Sequence, residues 1–202
     1  MTISRRVGKP LLSNQFAKAF RFALKAHGTQ TRKGTTIPYV SHVMAVASLV
    51  LDYGGSETQA VAALLHDTVE DCGVTYRRLK REFGAAVTRI VKDCTDAETF
   101  PKPPWKLRKQ RYVEHLRRSH NPQSLLVSAA DKLHNARAIV HDVKRQGKAV
   151  WKRFHAAPSE ILWYYQSLNA IFRRRAPEVS PAFHLLVREL DDTVKEMKGL
   201  AV

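Results

Sequence analysis

A chain of 202 residues with 44% hydrophobic and 8% aromatic content can bury one sizeable core, and it reads as one domain spanning 1–202. The longest apolar run, Met44 to Leu51, already contains Ser48 and is far too short to cross a bilayer, and the basic N-terminus lacks the apolar core of a secretory signal. A cytoplasmic, membrane-free protein is therefore expected, and the formal charge of +16 calls for an anionic partner without choosing among nucleic acid, anionic surface and polyphosphate.

Helical periodicity dominates from end to end, and no stretch alternates with period two, so the fold class expected is all-α. A first helix is predicted over about 13–27, with Phe16, Ala19, Phe20, Ala23 and Leu24 on one face. The Thr-, Lys- and Gly-rich segment 28–38 reads as a loop. Ser41 is expected to cap a second helix that runs to about Tyr53 and stops at Gly54-Gly55. Ser56 and Gln59 form a capping box that opens a third helix, whose unbroken run Ala60 to Leu65 marks it as buried all round. Thr75 caps a short helix closed by Gly84, a further helical stretch reaches about Cys94, and the three prolines between Asp96 and Trp105 impose a loop. Helices are expected again over about 106–118, 122–141, 159–175 and 180–198, the last closing the chain. Two cysteines, Cys72 and Cys94, are too few for a multi-cysteine zinc site and read as ordinary thiols.

The chemistry concentrates in Leu64-Leu65-His66-Asp67-Thr68-Val69-Glu70-Asp71, where four ionisable groups fall within six residues at the end of the most buried helix. On one continuous helix His66 would stack on Glu70 and Asp67 on Asp71, and three carboxylates would face the negative end of the helix dipole, a cost of roughly 0.3–1 kcal/mol each that calls for a cation. A second anomaly is Asp131, set in the core-like run from Leu125 to Leu133 with Asn135 one turn further on, because a buried carboxylate needs a partner. His42 stands in the first turn of the second helix. Two imidazoles and two carboxylates from three helices make a mixed nitrogen and oxygen set suited to Mn²⁺, Fe²⁺ or Zn²⁺. The other histidines, including His27, His115, His120 and His134, read as surface or satisfied core residues, and Cys94 and Trp151 as packing residues.

The order His42, His66-Asp67, Asp131 resembles the HD-domain phosphohydrolases, and so an HD-type helical bundle. A narrower likeness lies in Gln30-Thr31-Arg32-Lys33-Gly34, Pro38-Tyr39-Val40-Ser41-His42, the His66-to-Asp71 string, Phe83-Gly84 and Ala130-Asp131-Lys132-Leu133-His134-Asn135. From about residue 15 to 170 these resemble the hydrolase domain of RelA/SpoT-type stringent-response proteins, and most of all its stand-alone form, the small alarmone hydrolases. The resemblance implies removal of the 3′-pyrophosphate from guanosine tetra- or pentaphosphate, usually with Mn²⁺. It implies His42, His66, Asp67 and Asp131 as metal ligands, Glu70 and Asp71 as the residues that handle the attacking water, and Arg32, Lys33 and Asn135 as substrate contacts. Val43 departs from the proline common at that place, which alters no ligand. Trp163-Tyr164-Tyr165 falls in a helix whose counterpart helps frame the nucleotide.

Three other functions share parts of this pattern. Another HD phosphohydrolase, acting on nucleoside 5′-monophosphates or deoxynucleoside triphosphates, would share the metal set, but Arg32-Lys33 and Glu70-Asp71 favour the alarmone. A basic nucleic-acid-binding module would show aromatic-interleaved basic patches, which are not apparent. A non-catalytic alarmone sensor would have lost a ligand or Glu70, and all are present.

Overall fold

The computed structural model describes residues 11–99, 101–119 and 121–201; Met1–Pro10 and His120, which entered the reading above, lie outside the described residues. The chain forms α1 (Asn14–His27), α2 (Val40–Asp52), α3 (Glu57–Leu65), α4 (Thr68–Cys72), α5 (Tyr76–Cys94), α6 (Trp105–Arg118), α7 (Pro122–Gln146), α8 (Pro158–Arg175) and α9 (Pro181–Ala201), with short 3₁₀ turns at Gly147–Arg153 and Ala176–Glu178. Among the described residues the only β-type pairing is one isolated bridge, Thr31 to Pro38, so the all-α expectation holds. No described helix is long and apolar enough to cross a membrane.

α3 is the central rod. Its Ser56–Gln59 capping box is formed in full, and every residue from Gln59 to Leu65 is buried, as its uniformly apolar surface demands. α1, α2, α5 and α7 pack around it, and α9 and α8 extend the bundle beyond α7. The turn from α2 into α3 is tight because Gly55 donates to the Val50 carbonyl at 2.7 Å; a Cβ there would stand 2.5 Å from Val50 Cγ1.

Three local expectations need correction, while the division at Gly84 stands. α2 begins at Val40, so Ser41 is a helical residue and not its cap; the amides of Ser41 and His42 instead reach back to the carbonyls of Pro38 and Tyr39. The stretch from Tyr76 to Cys94 is, as expected, two helical segments that meet at Gly84, where the backbone leaves the helical region at φ 86°, ψ 172°. α7 runs to Gln146, beyond His141, and ends where Gly147 takes φ 71°. The most consequential correction concerns His66-Asp67, which form a break and not the end of a continuous helix: α3 stops at Leu65 and α4 starts at Thr68. Glu70 and Asp71 therefore lie in the first turn of a new helix, and the helix-dipole penalty expected for them does not arise.

Candidate metal and nucleotide site

The break after α3 turns the His66 and Asp67 side chains toward α7, while α2 presents His42 from its first turn and α7 presents Asp131 from its buried stripe. His66 Nε2 lies 3.0 Å from Asp67 Oδ2 and 3.7 Å from Asp131 Oδ1; His42 Nε2 lies 3.5 Å and 3.2 Å from the same two oxygens. Ligating atoms of His42, His66 and Asp67 all fall within 4.8 Å of one another, and Asp131 meets both imidazoles from the α7 side. All four predicted ligands are thus brought together.

Two observations test whether a cation fits. His42 Nε2 and His66 Nε2 are fully buried polar atoms with no well-formed hydrogen bond, an expensive condition unless their lone pairs serve another purpose. The separations of 3.0–3.7 Å also match the distance between neighbouring ligand atoms, about 3.0–3.5 Å, when each bond to a shared divalent ion is about 2.0–2.2 Å. The residues fit a divalent metal.

Their tautomers are arranged for the same purpose. His66 Nδ1 donates to the Ala63 carbonyl at 2.7 Å, leaving Nε2 as the lone-pair atom of the neutral ring. His42 Nδ1 lies 2.8 Å from His134 Nδ1. Burial, reinforced by His42 and Arg32, lowers the His134 pKa to about 4, so His134 is neutral and its Nδ1 can accept a hydrogen bond from His42 Nδ1–H. His134, expected to be a surface or satisfied core residue, thus bonds one of the predicted ligands. Its position three residues after Asp131, on the same helical face, was the signal for it. In the protein alone, burial opposes the charged forms of His66, Asp67 and Asp131 but is overcome: the two carboxylates hold His66 well above the usual imidazole range, His66 and His42 hold Asp67 well below the carboxyl range, and Lys132 first, then His42 and His66, do the same for Asp131.

The catalytic candidates flank this cluster. Asp71 N–H bonds the Asp67 carbonyl at 2.9 Å, which places Glu70 and Asp71 one turn from the ligands despite the break. Lys102, from the proline-rich loop, donates to Glu70 Oε1 and Asp71 Oδ1, each at 2.8 Å, and Arg108 comes within 3.6 Å of Glu70. Burial, together with the nearby Asp96, raises the Glu70 pKa, and Lys102 offsets part of that rise. Lys102 was not foreseen, since nothing in a loop of prolines says where an ammonium will land. Lys132, largely buried, holds Asp131 Oδ2 at 2.5 Å.

On the other side lies a cavity of about 390 Å³, lined among others by Arg32, Lys33, Tyr39, His134, Asn135 and Tyr165. Its inner wall is bonded directly to the cluster. Tyr39 donates to Asp67 Oδ2 at 2.7 Å, His134 touches His42, and Asn135 donates to Asp131 Oδ1 at 2.5 Å. Arg32 donates to Asn135 Oδ1 at 2.6 Å and lies over the Tyr39 ring at 5.5 Å. All three predicted substrate contacts therefore line one cavity. Of the aromatic motif, Tyr165 lines it, whereas Tyr164 is buried beneath Lys132 and Lys109. A larger cavity of about 770 Å³, between arginines of α6 and α8, contains none of these residues. Cys72 and Cys94 are free thiols, as expected.

A bundle of this form, with a histidine on one helix, a His-Asp pair at a helix break and an aspartate on a third, is the architecture of the HD domain; the model of that domain matches residues 19–162, and the chain belongs to this family. Within it, the chain is 37% identical over 162 residues to the guanosine-3′,5′-bis(diphosphate) 3′-pyrophosphohydrolase MESH1 of Xenopus tropicalis, covering 76% of this chain and 86% of that protein. It is 41% identical to MESH1 of Homo sapiens, covering 78% and 84%. A solved structure described as a metazoan ortholog of SpoT that hydrolyzes ppGpp and plays a role in starvation responses superposes with a TM-score of 0.74 at 25% identity, over 96% of this chain and 99% of that one.

Arg32 offers a direct check on the cavity. Its guanidinium is already oriented by Asn135 and Tyr39, so it can meet a nucleotide with little further ordering. Arg32→Ala is expected to raise KM about tenfold or more and to lower kcat by less, because the binding lost is common to ground and transition states. Steady-state kinetics measures the split, and an unchanged KM would make this loop a bystander.

Proposed function

We propose that this protein is a metal-dependent guanosine-3′,5′-bis(diphosphate) 3′-pyrophosphohydrolase, converting guanosine tetra- and pentaphosphate to GDP and GTP with release of pyrophosphate. The observation that carries the reading is the shared wall: three residues lining the nucleotide-sized cavity each touch a different member of the His42, His66, Asp67, Asp131 cluster. A nucleotide bound in that cavity would lie beside the cluster. The similarity to the two MESH1 proteins over most of both lengths supports the same choice of substrate.

In this reading His42, His66, Asp67 and Asp131 hold one divalent cation, with Mn²⁺ as the assigned metal. Bound there, the cation supplies Lewis-acid polarisation of a phosphoryl oxygen and lowers the pKa of a water. Glu70 takes the proton of the attacking water, its raised pKa making it a stronger base than a surface glutamate, and Asp71 keeps the water in place. The water oxygen bonds to the phosphorus attached to the 3′ oxygen, the bond between that phosphorus and the 3′ oxygen breaks, and the ribose oxygen leaves as a hydroxyl, taking up a proton that balances the one accepted by Glu70 and is exchanged with it through solvent. Asn135, fixed between Asp131 and Arg32, holds the ester near the cluster. Arg32 lies flat against the base or forks two phosphate oxygens, and Lys33 adds a point charge at the rim. The reading keeps the cytoplasmic assignment and a small-molecule partner.

The test is a nucleotide panel. With Mn²⁺ present, guanosine tetraphosphate is expected to be hydrolysed at a kcat/KM at least about a hundredfold above those of GMP, AMP and the deoxynucleoside triphosphates, a gap of roughly 2.7 kcal/mol in transition-state binding. Preference for a deoxynucleoside triphosphate or a 5′-monophosphate would move the protein to another branch of the HD family.

A further inference from the structure

The loop that presents Arg32 and Lys33 is fastened at a second point, and the fastening involves a residue with no part in the site so far. Within the loop, Arg32 N–H bonds the Ile37 carbonyl at 2.8 Å and Thr35 caps the turn, which leaves Gly34 at its tip with φ 71°. The side chain of Arg153 lies across that glycine. A Cβ on Gly34 would stand 2.8 Å from Arg153 Cδ, 3.1 Å from Nε and 3.4 Å from Cγ, so the arginine stem occupies the place a side chain would need.

Arg153 is not free to swing away. Its Nη1 is bonded to Asp142 Oδ2 at 2.9 Å and its Nη2 to Gln146 Oε1, and four-fifths of its side chain is buried. Asp142 stands on α7 seven residues after Asn135, which in turn stands four after Asp131. Spacings of four and seven keep the three on one helical stripe. One face of α7 thus carries, in order, a metal ligand, the amide that holds Arg32, and the carboxylate that anchors the arginine pressed on Gly34. Both ends of the loop's cationic tip are referred to the same rigid helix, and Arg153 lines the same cavity as Arg32 and Lys33.

We propose that Arg153 is a positioning residue for the nucleotide: anchored by Asp142, it clamps the Arg32-Lys33-Gly34 loop over the cavity, its stem filling the space of a side chain at position 34, where φ 71° already favours glycine. The clamp acts on binding and not on the chemical step, since it touches neither Glu70 nor the metal ligands. Its kinetic consequence rests on the alarmone-hydrolase reading; its packing does not.

The experiment uses the full chain with Mn²⁺ and reads two things. Arg153→Ala is expected to raise KM for guanosine tetraphosphate about tenfold with kcat changed less than about twofold, and Arg153→Lys, whose stem still covers Gly34, to recover most of that loss. Bound metal, measured by elemental analysis, stays at the wild-type level. The second reading is a double-mutant cycle in melting temperature. Gly34→Ala carries the same backbone strain in either background, so that strain cancels, and only the clash with Arg153 differs. The alanine is expected to lower the melting temperature clearly less in the Arg153→Ala background than in the wild type. Additive effects at 34 and 153, or an unchanged KM in Arg153→Ala, would overturn the clamp. Should the wild type fail to hydrolyse the alarmone at all, the functional reading falls, and the melting cycle still decides whether the clamp exists.

Discussion

Replacing Glu70 by Gln is expected to reduce kcat by about 10²–10⁴-fold, the usual range for loss of a general base, while bound metal and nucleotide affinity stay close to wild type. The expectation follows from where Glu70 sits. It is one turn beyond the ligands, on a helix that starts anew after the His66-Asp67 break, and its carboxylate meets Lys102 and Arg108 instead of the imidazoles. An amide keeps the size and one acceptor for Lys102 but cannot take a proton. Because burial and Asp96 raise the Glu70 pKa, the acid limb of the kcat/KM profile is expected to lie above the ordinary glutamate range, with activity rising as pH increases through it. That limb should vanish in Glu70→Gln. Loss of metal from the variant, measured by elemental analysis, would make Glu70 a ligand and redraw the roles.

The second large effect concerns the cation. Chelation is expected to abolish hydrolysis and to lower the melting temperature, since a ligand bound only by the folded state adds about 4 kcal/mol at a thousandfold excess over its Kd. Among substitutions, His66→Gln is the cleaner probe. It removes one ligand atom and leaves Asp67 and Asp131 with His42, whereas Asp131→Asn also deprives the largely buried Lys132 of its carboxylate. His66→Gln should bind less than about a tenth of the wild-type metal, lose at least about a thousandfold in kcat/KM, and show no further fall in melting temperature on chelation. Full turnover by metal-free wild type would refute a metal role for His42, His66, Asp67 and Asp131.

Much of this was legible from residue patterns because the responsible signals are local. A capping box, an all-apolar helix and a carboxylate inside a core stripe each announce themselves within a dozen residues, and α3, Asp131 and the order of the helices followed from them. The break at His66-Asp67 was not legible, since Leu64 to Asp71 contains no glycine or proline and every residue in it is allowed in a helix. Lys102 and Arg153 were hidden for a different reason. Each reaches its partner from a non-α-helical segment, Lys102 across 31 and 32 residues to Asp71 and Glu70, and the path of such segments has no periodicity to read. His134 lies between these cases: its helical register places it beside Asp131, but a histidine on a buried helix has the same pattern whether it faces the core or a ligand.

The central claim is most directly tested by the identity of the first products. Guanosine tetraphosphate incubated with the protein and Mn²⁺ is to be resolved by anion-exchange chromatography, with pyrophosphate and orthophosphate assayed separately at early times. Attack at the phosphorus joined to the 3′ oxygen predicts GDP and intact pyrophosphate in equal amounts, with no early orthophosphate. Orthophosphate as the initial product, with the nucleotide retaining a 3′-phosphate, would contradict the account.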